Sequence, residues 1–327
     1  MPNDEIAVLA NPTAGRGRHR VLLPGVLQRL GAAGHTVRLL TAGTGAQAEQ
    51  ACRRAVADGV AALVAVGGDG TVHRALQAVA GTGVGFGVVP AGTGNDFAAG
   101  TAAARERPEG VPDGRERPEG VPDGRERSEG VPEGSLHAAE AIAGALRDQR
   151  DHRVDLGLVR LADGSRRWFG TVLAAGFDAV VNERANRMRW PRGRRRYDLA
   201  ILLELARLRS REYTLGLDGA EHRFAGPLVA VGNCPSYGGG LRILPDADPA
   251  DGLLDVVIAA PLSRVALARL KPLLRLGTHI RDPRVTTFRA KSVQLDAAGI
   301  IGYADGERIG PLPLEITCEP GAVRLLR

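Results

Sequence analysis

The sequence predicts an α/β unit joined to a mainly β one: an N-terminal doubly wound parallel-sheet nucleotide domain, then a β-sandwich-like second domain. Three observations carry this. In roughly the first 150 residues, short apolar runs alternate with helix-period segments, the pattern of strands buried on both faces of a parallel sheet. Glycine-rich segments follow three of those runs, at the sheet edge where ligands of such folds bind. Beyond residue 150 the runs become short and broken by turns, which is β-rich texture.

The elements follow in order. Ile6–Ala10 is a buried-strand run ending in the turn Asn11-Pro12. Val21–Leu30 has helical spacing and stops at Gly31. Thr36–Leu40 reads as strand and Ala46–Ala57 as helix. Ala61–Val66 is a third strand feeding Gly67, Val72–Val79 a helix, and Val84–Val89 a fourth strand. Residues 105–134 are a tandem decapeptide, RERPEGVPDG twice and then RERSEGVPEG. With Val as its only apolar side chain it cannot offset its chain entropy, so a disordered surface insertion is expected. Leu136–Leu146 resumes a helix. Then come strand-like runs at Val154–Val159, Trp168–Ala174, Leu215–Leu217, Leu228–Val231, Leu253–Ile258 and Val293–Leu295, with helices at Asp198–Leu208 and Arg264–Leu276. The units are 1–149 and 150–327, and the last segment, about 310–327, can return to the first unit.

Composition narrows the function. A chain of 327 residues can build two ordinary cores. Its net charge of +6 is uneven: residues 105–134 hold six Arg and nine Asp/Glu, so the remainder carries +9 and suits an anionic partner. Cys52, Cys234 and Cys318 have neither disulfide nor metal-ligand spacing, which fits a reducing compartment. No signal peptide or membrane-length apolar run is visible, so a cytoplasmic protein, peripheral at the inner membrane face, is expected.

The chemistry concentrates in the glycine segments Asn11–Gly17, Val66–Thr71 and Pro90–Phe97. Glycines before a helix N-terminus let backbone N–H groups meet phosphate oxygens. Asp69 would repel a triphosphate unless it works on a metal, a water or a hydroxyl proton. No P-loop, protein-kinase or Ser-elbow motif is present, and Lys271 and Lys291 are the only lysines. Asp305-Gly306-Glu307 reads either as a hairpin turn or as a source of general base. Asp246, Asp248, Asp251 and Asp255 read either as a solvated loop or as a hard-cation site. Seven arginines between Arg184 and Arg196, with Trp190 among them, read either as a solvated face or as a docking surface for anionic headgroups. No nucleic-acid motif appears, so no such partner is expected.

Asn11–Gly15, Gly67–Thr71 and Pro90–Phe97 resemble the catalytic domain of diacylglycerol kinases and related bacterial lipid kinases. The resemblance continues through Ala174–Ala179, Tyr237–Gly240, Pro245–Val256 and Asp305–Glu307, covering nearly all the chain outside the repeat. It implies an ATP- and Mg²⁺-dependent kinase that phosphorylates diacylglycerol or a related lipid, giving a product such as phosphatidic acid. An NAD kinase-like enzyme and a non-catalytic nucleotide or lipid sensor are the alternatives. By resemblance Asn11, Pro12, Thr13, Ala14, Gly15, Thr41, Gly67, Gly68, Asp69, Gly70, Thr71, Val72, His73 and Thr93 line the ATP site. Asp251, with the carbonyls of Asp248 and Leu253, forms the metal site. The proton acceptor is drawn from Glu307 and Asp305, with Glu307 favoured for its reach and Asp69 as the third candidate. The pair His73-Arg74 departs from the Asn-Glu common in the family. A lipid substrate at the membrane surface is the expected partner, and a homodimer stays open.

Overall fold

The structure is a computed structural model that describes residues 4–10, 18–32, 34–92, 94–105, 133–188, 190 and 194–327. The expected ATP-site residues Asn11, Pro12, Thr13, Ala14, Gly15 and Thr93, and the repeat except its ends, lie outside the described residues.

The chain begins with β1 (Glu5–Ala10), α1 (Arg18–Ala32), β2 (Thr36–Leu40), α2 (Gly45–Ala57), β3 (Ala62–Gly67), α3 (Asp69–Val79) and β4 (Gly85–Pro90). These strands pair in parallel in the order β2-β1-β3-β4. Side chains alternate between the faces, as period-2 geometry requires. Ile6, Val8, Val64 and Val66 pack on α1 and on α5 (Glu133–Arg147), whereas Ala7, Leu9, Leu63 and Ala65 pack on α2 and α3. A short α4 (Asp96–Arg105), a helix that its weak periodicity did not predict, comes next after β4 in the chain.

The second half contains β5 (His152–Arg160), β6 (Arg166–Phe169), β7 (Val172–Gly176), α6 (Phe177–Arg187), α7 (Arg194–Ala206), β8 (Arg211–Leu217), β9 (Ala220–Gly226) and β10 (Leu228–Gly232). It closes with β11 (Leu254–Ala259), α8 (Arg264–Leu276), β12 (Val285–Ala290), β13 (Ser292–Asp296), β14 (Ile301–Ala304), β15 (Glu307–Pro311) and β16 (Leu314–Leu326). One antiparallel sheet runs β12-β11-β10-β7-β14-β15. Its inner face, including Leu173, Val229, Val231 and Val256, packs on Tyr213, Leu215, Val293, Leu295 and Ile316 of the facing layer, so the half is a sandwich.

That facing layer is continuous with the first sheet. Strand β16 joins the two: Leu314–Thr317 lie opposite Leu295–Ser292 of β13, and Arg324–Leu326 run parallel to Gly85–Gly87 of β4. A register break between Glu319 and Val323, at Pro320-Gly321, bends the strand between these tasks. The buried Asp155 carboxylate fixes the bend, accepting from Gly321 N at 2.7 Å and Gly252 N at 2.7 Å.

Two expected elements are corrected. The run Trp168–Ala174 is two strands in different sheets, because Gly170 and Thr171 turn their N–H groups to Asp305 instead of to a ladder. The helix expected at 198–208 starts within the arginine cluster, at Arg194, and α6 precedes it unforeseen. Cys52, Cys234 and Cys318 are free and buried.

Candidate active site

Strand order reverses between β1 and β3, so the crevice for a ligand lies at their carboxyl ends. Gly67–Thr71 leads there from β3 into α3, whose N-cap Gly68 provides no side-chain cap. The Gly92 loop comes from β4 and packs directly on it. A Cβ on Gly92 would stand 2.4 Å from the Gly68 Cα, a separation only glycine permits. Thr41 follows β2 and lines an open cleft of about 540 Å³ with Ala42, Gly43, Gln47, Gln50 and Arg54. The start of α2 beside this cleft is fixed by a capping box, with Thr44 Oγ1 accepting from Gln47 N and Gln47 Oε1 from Thr44 N.

Asp69 organises these loops. Its Oδ2 accepts from Asn95 N at 2.9 Å and its Oδ1 from Asp96 N at 2.7 Å, so it caps α4 across the sheet edge. Burial, with the nearby Asp96 charge, pushes its pKa up to about 6 against the pull of those two donors. Asp96, to which the sequence reading assigned no role, continues the chain of contacts. Its carboxylate accepts from Gly239 N and Gly240 N, each at 2.9 Å, and so grips the Tyr237–Gly240 turn of the sandwich half. Tyr237 in turn donates to Asp178 at the start of α6, at 2.5 Å. Asp96 and Asp155 are buried, and nothing in the sequence sets them apart from the chain's other carboxylates; only the fold does.

The acidic turn enters from the second sheet. Asp305 and Gly306 have φ of +52° and +80° and join β14 to β15 as a two-residue hairpin. The hairpin reading of the turn is thus the one the backbone adopts. The Asp305 side chain is 5 % exposed. Its Oδ2 accepts from His73 Nδ1 and Gly170 N, both at 3.0 Å, and its Oδ1 from Thr171 N at 2.9 Å and Thr171 Oγ1 at 2.5 Å. Burial pushes its pKa up, but His73, Thr171 and Gly170 together outweigh it and hold the carboxyl below its ordinary value. These donors hold Asp305 as an anchor that ties α3 to the sandwich. They also give His73, which has no partner visible in sequence, a partner 232 residues away.

Glu307, two residues on, is 38 % exposed at its side chain. A Cβ on Gly70 would lie 3.3 Å from Glu307 Oε1, so the carboxylate sits over the GGDGT backbone. Its partner is Arg74, with Nη2 at 3.4 Å from both carboxylate oxygens.

The expected metal residues sit elsewhere, on the loop before β11. Asp251 Oδ1 accepts from Leu253 N at 3.0 Å, and its Oδ2 meets the Arg289 guanidinium. Asp248 Oδ1 accepts from Ala250 N at 3.1 Å. A cation there would have to displace Arg289. Among the described residues no group of three or more His, Cys, Asp or Glu side chains is placed to hold a metal ion.

Comparison with known proteins agrees with this architecture. Residues 5–113 match the diacylglycerol kinase catalytic domain, and residues 171–327 match the YegS C-terminal NAD kinase beta sandwich-like domain. The chain is 41 % identical over 324 residues to a diacylglycerol kinase of Mycobacterium tuberculosis, covering 99 % of this chain and 95 % of the relative. It is 29 % identical over 297 residues to a "Probable lipid kinase YegS-like" of Stenotrophomonas maltophilia, covering 85 % and 82 %. A crystal structure of a diacylglycerol kinase from Bacillus anthracis str. Sterne superposes with a TM-score of 0.66 at 18 % identity, over 99 % of this chain and 96 % of that one. That likeness speaks to fold alone. A glycine-loop α/β unit carrying a β-sandwich is the pairing of a diacylglycerol kinase catalytic domain with a YegS C-terminal domain. The chain belongs to the diacylglycerol kinase and YegS-like lipid kinase family.

Proposed function

We propose that this kinase transfers the γ-phosphoryl group of ATP to the hydroxyl of diacylglycerol or a closely related lipid. The observation that carries the reading is the placement of Glu307 over Gly70, which brings a solvent-reachable carboxylate to the glycine loops. The name of the Mycobacterium tuberculosis relative supports diacylglycerol as the acceptor. ATP would lie along the Thr41 cleft and the Gly67–Thr71 loop, with its phosphates toward the start of α3. As the acceptor hydroxyl attacks, the new O–P bond forms and the bond from the γ-phosphorus to the bridging oxygen breaks, leaving ADP. The hydroxyl proton passes to Glu307. Asp305 and Asp69 orient the turn and the loops around that event, so catalysis is mostly alignment. Mg²⁺ would arrive on the nucleotide's phosphates and neutralise their charge, while the Asp251 carboxylate expected to hold it is engaged with Arg289.

The bilayer is the proposed meeting place, with the protein cytoplasmic and peripheral. Among the described residues no helix is long and apolar enough to cross a membrane. The arginine segment supports docking, for Trp190 is 79 % exposed and Leu202 on α7 is 62 % exposed. Arg184 is set apart from that role, because it is paired with Glu204 and holds α6 to α7. A homodimer is compatible with the reading.

The experiment is phosphoryl transfer from labelled ATP, with diacylglycerol, a panel of other hydroxyl lipids and NAD tested in parallel. Label in diacylglycerol or a related lipid is expected. Label in NAD alone would replace this reading with an NAD kinase, and ATP binding without transfer to any acceptor would make the protein a sensor.

A further inference from the structure

Arg74 lies one helical turn after Gly70 on α3, and its side chain crosses to the start of α2. A Cβ on Gly45 would stand 2.2 Å from its Cζ and 2.4 Å from Nη1, so glycine at 45 is what admits the guanidinium there. Gly43 and Gln47, beside Gly45 at the start of α2, line the cleft with Thr41. The guanidinium also faces Glu307, which lies over Gly70. Arg74 thus touches both the start of α2 and the carboxylate over the GGDGT loop, the two places that a polyphosphate reaching from the cleft to that loop would join.

The present partner of Arg74 is easily displaced. Both Arg74–Glu307 separations are 3.4 Å, longer than a strong charge-assisted bond, and the side chains are 32 % and 38 % exposed. Exposed pairs of this kind hold weakly. A terminal phosphate offers the same planar fork more charge and more acceptor oxygens than a carboxylate does. Lysine, the usual phosphate-loop cation, is absent from this half of the chain.

We propose that Arg74 is a phosphate-binding residue that exchanges partners: it holds Glu307 while the site is empty and turns to the terminal phosphate of a bound nucleoside triphosphate. The exchange adds a cation where charge develops and frees the Glu307 carboxylate to accept the acceptor's proton. Arg74 therefore positions Glu307 as well as binding nucleotide. This rests on the kinase reading above.

The test is calorimetric binding of a non-hydrolysable ATP analogue, without lipid, to the wild type and to Arg74→Gln, Arg74→Lys, Glu307→Gln and the Arg74→Gln/Glu307→Gln double variant. Removing a charge-assisted phosphate contact should weaken binding roughly tenfold or more in Arg74→Gln, with part of the affinity kept in Arg74→Lys. Glu307→Gln removes the competitor and should tighten binding several-fold, a gain that a merely structural ion pair would not give. That gain should vanish in the double variant. Unchanged affinity in Arg74→Gln with its unfolding temperature intact, or weaker binding in Glu307→Gln, overturns the exchange while leaving the kinase reading standing. A wild type that binds no analogue overturns the kinase reading and the exchange together.

Discussion

Asp305→Asn separates an anchor from a base. The amide keeps one acceptor oxygen and replaces the other with a donor. Two of the four groups facing the carboxylate can adapt: the Thr171 hydroxyl can rotate, and His73 can present Nδ1 as an acceptor. The N–H groups of Gly170 and Thr171 cannot, and one lies at each oxygen. Whichever way the amide turns, one buried N–H meets a donor, at about 1–3 kcal/mol. The remaining bonds lose their charge assistance, about 1 kcal/mol more each. A loss of about 4–6 kcal/mol follows, on the order of 6–9 °C in Tm for a chain of this length, where each kcal/mol moves Tm by about 1.5 °C. The acid limb should change as well. Asp305 lies below its ordinary value of 3.8, so its contribution is present above that value and lost as pH falls through the lower folded one. The variant should lack that share of the drop below about pH 4. Thermal unfolding from pH 2.5 to 7, with turnover measured on the same preparations, reads both effects. An Asp305→Asn protein that melts with the wild type yet turns over about 10²–10⁴-fold more slowly would refute the anchor and make Asp305 the base.

Glu307→Gln should do the reverse, lowering turnover about 10²–10⁴-fold while Tm barely moves, since an exposed ion pair contributes about 0–1 kcal/mol; full activity in this variant would remove Glu307 from the mechanism. Gly92→Ala places a methyl 2.4 Å from the Gly68 Cα and should cost about 1–3 kcal/mol in chemical denaturation as the two loops are forced apart. Asp69 is raised to about 6, so its favourable share is fully present below pH 3.8 and is lost as pH rises through about 6. Asp69→Asn should therefore narrow the Tm difference between pH 4 and pH 8, and an unchanged difference would mean that Asp69 titrates like a free carboxyl. Replacing Arg192, Arg194, Arg195 and Arg196 with Gln should weaken co-sedimentation with anionic vesicles at low salt, at about 1 kcal/mol per Arg near the surface. The difference should fade as salt rises, and equal sedimentation at every salt concentration would place the docking surface elsewhere.

The parallel half was legible because its signals are local. Continuous apolar runs such as Ala62–Val66 are buried on both faces, and glycine-rich turns mark where they end. The sandwich was legible only as texture. Strands β9, β12 and β15 are partly exposed and β14 spans only four residues, so their pairing depends on partners distant in sequence. The split of Trp168–Ala174 between two sheets has no local signal at all, because its cause is Asp305, more than 130 residues away.

The same division runs through the site. Residue types and spacing by themselves determined the fold class, the glycine loops and the acidic turn, since backbone access to phosphate needs glycine and a tight hairpin needs a residue that tolerates positive φ. Only the tertiary structure distinguished Asp305 from Glu307. One carboxylate is surrounded by donors and the other lies open over Gly70, a difference of environment between two residues of one turn. It also gave Asp96 its grip on Gly239 and Gly240 and His73 its partner. These contacts join segments more than 140 residues apart in the chain, and a carboxylate's role is set by the donors and solvent around it, which only the folded chain brings together.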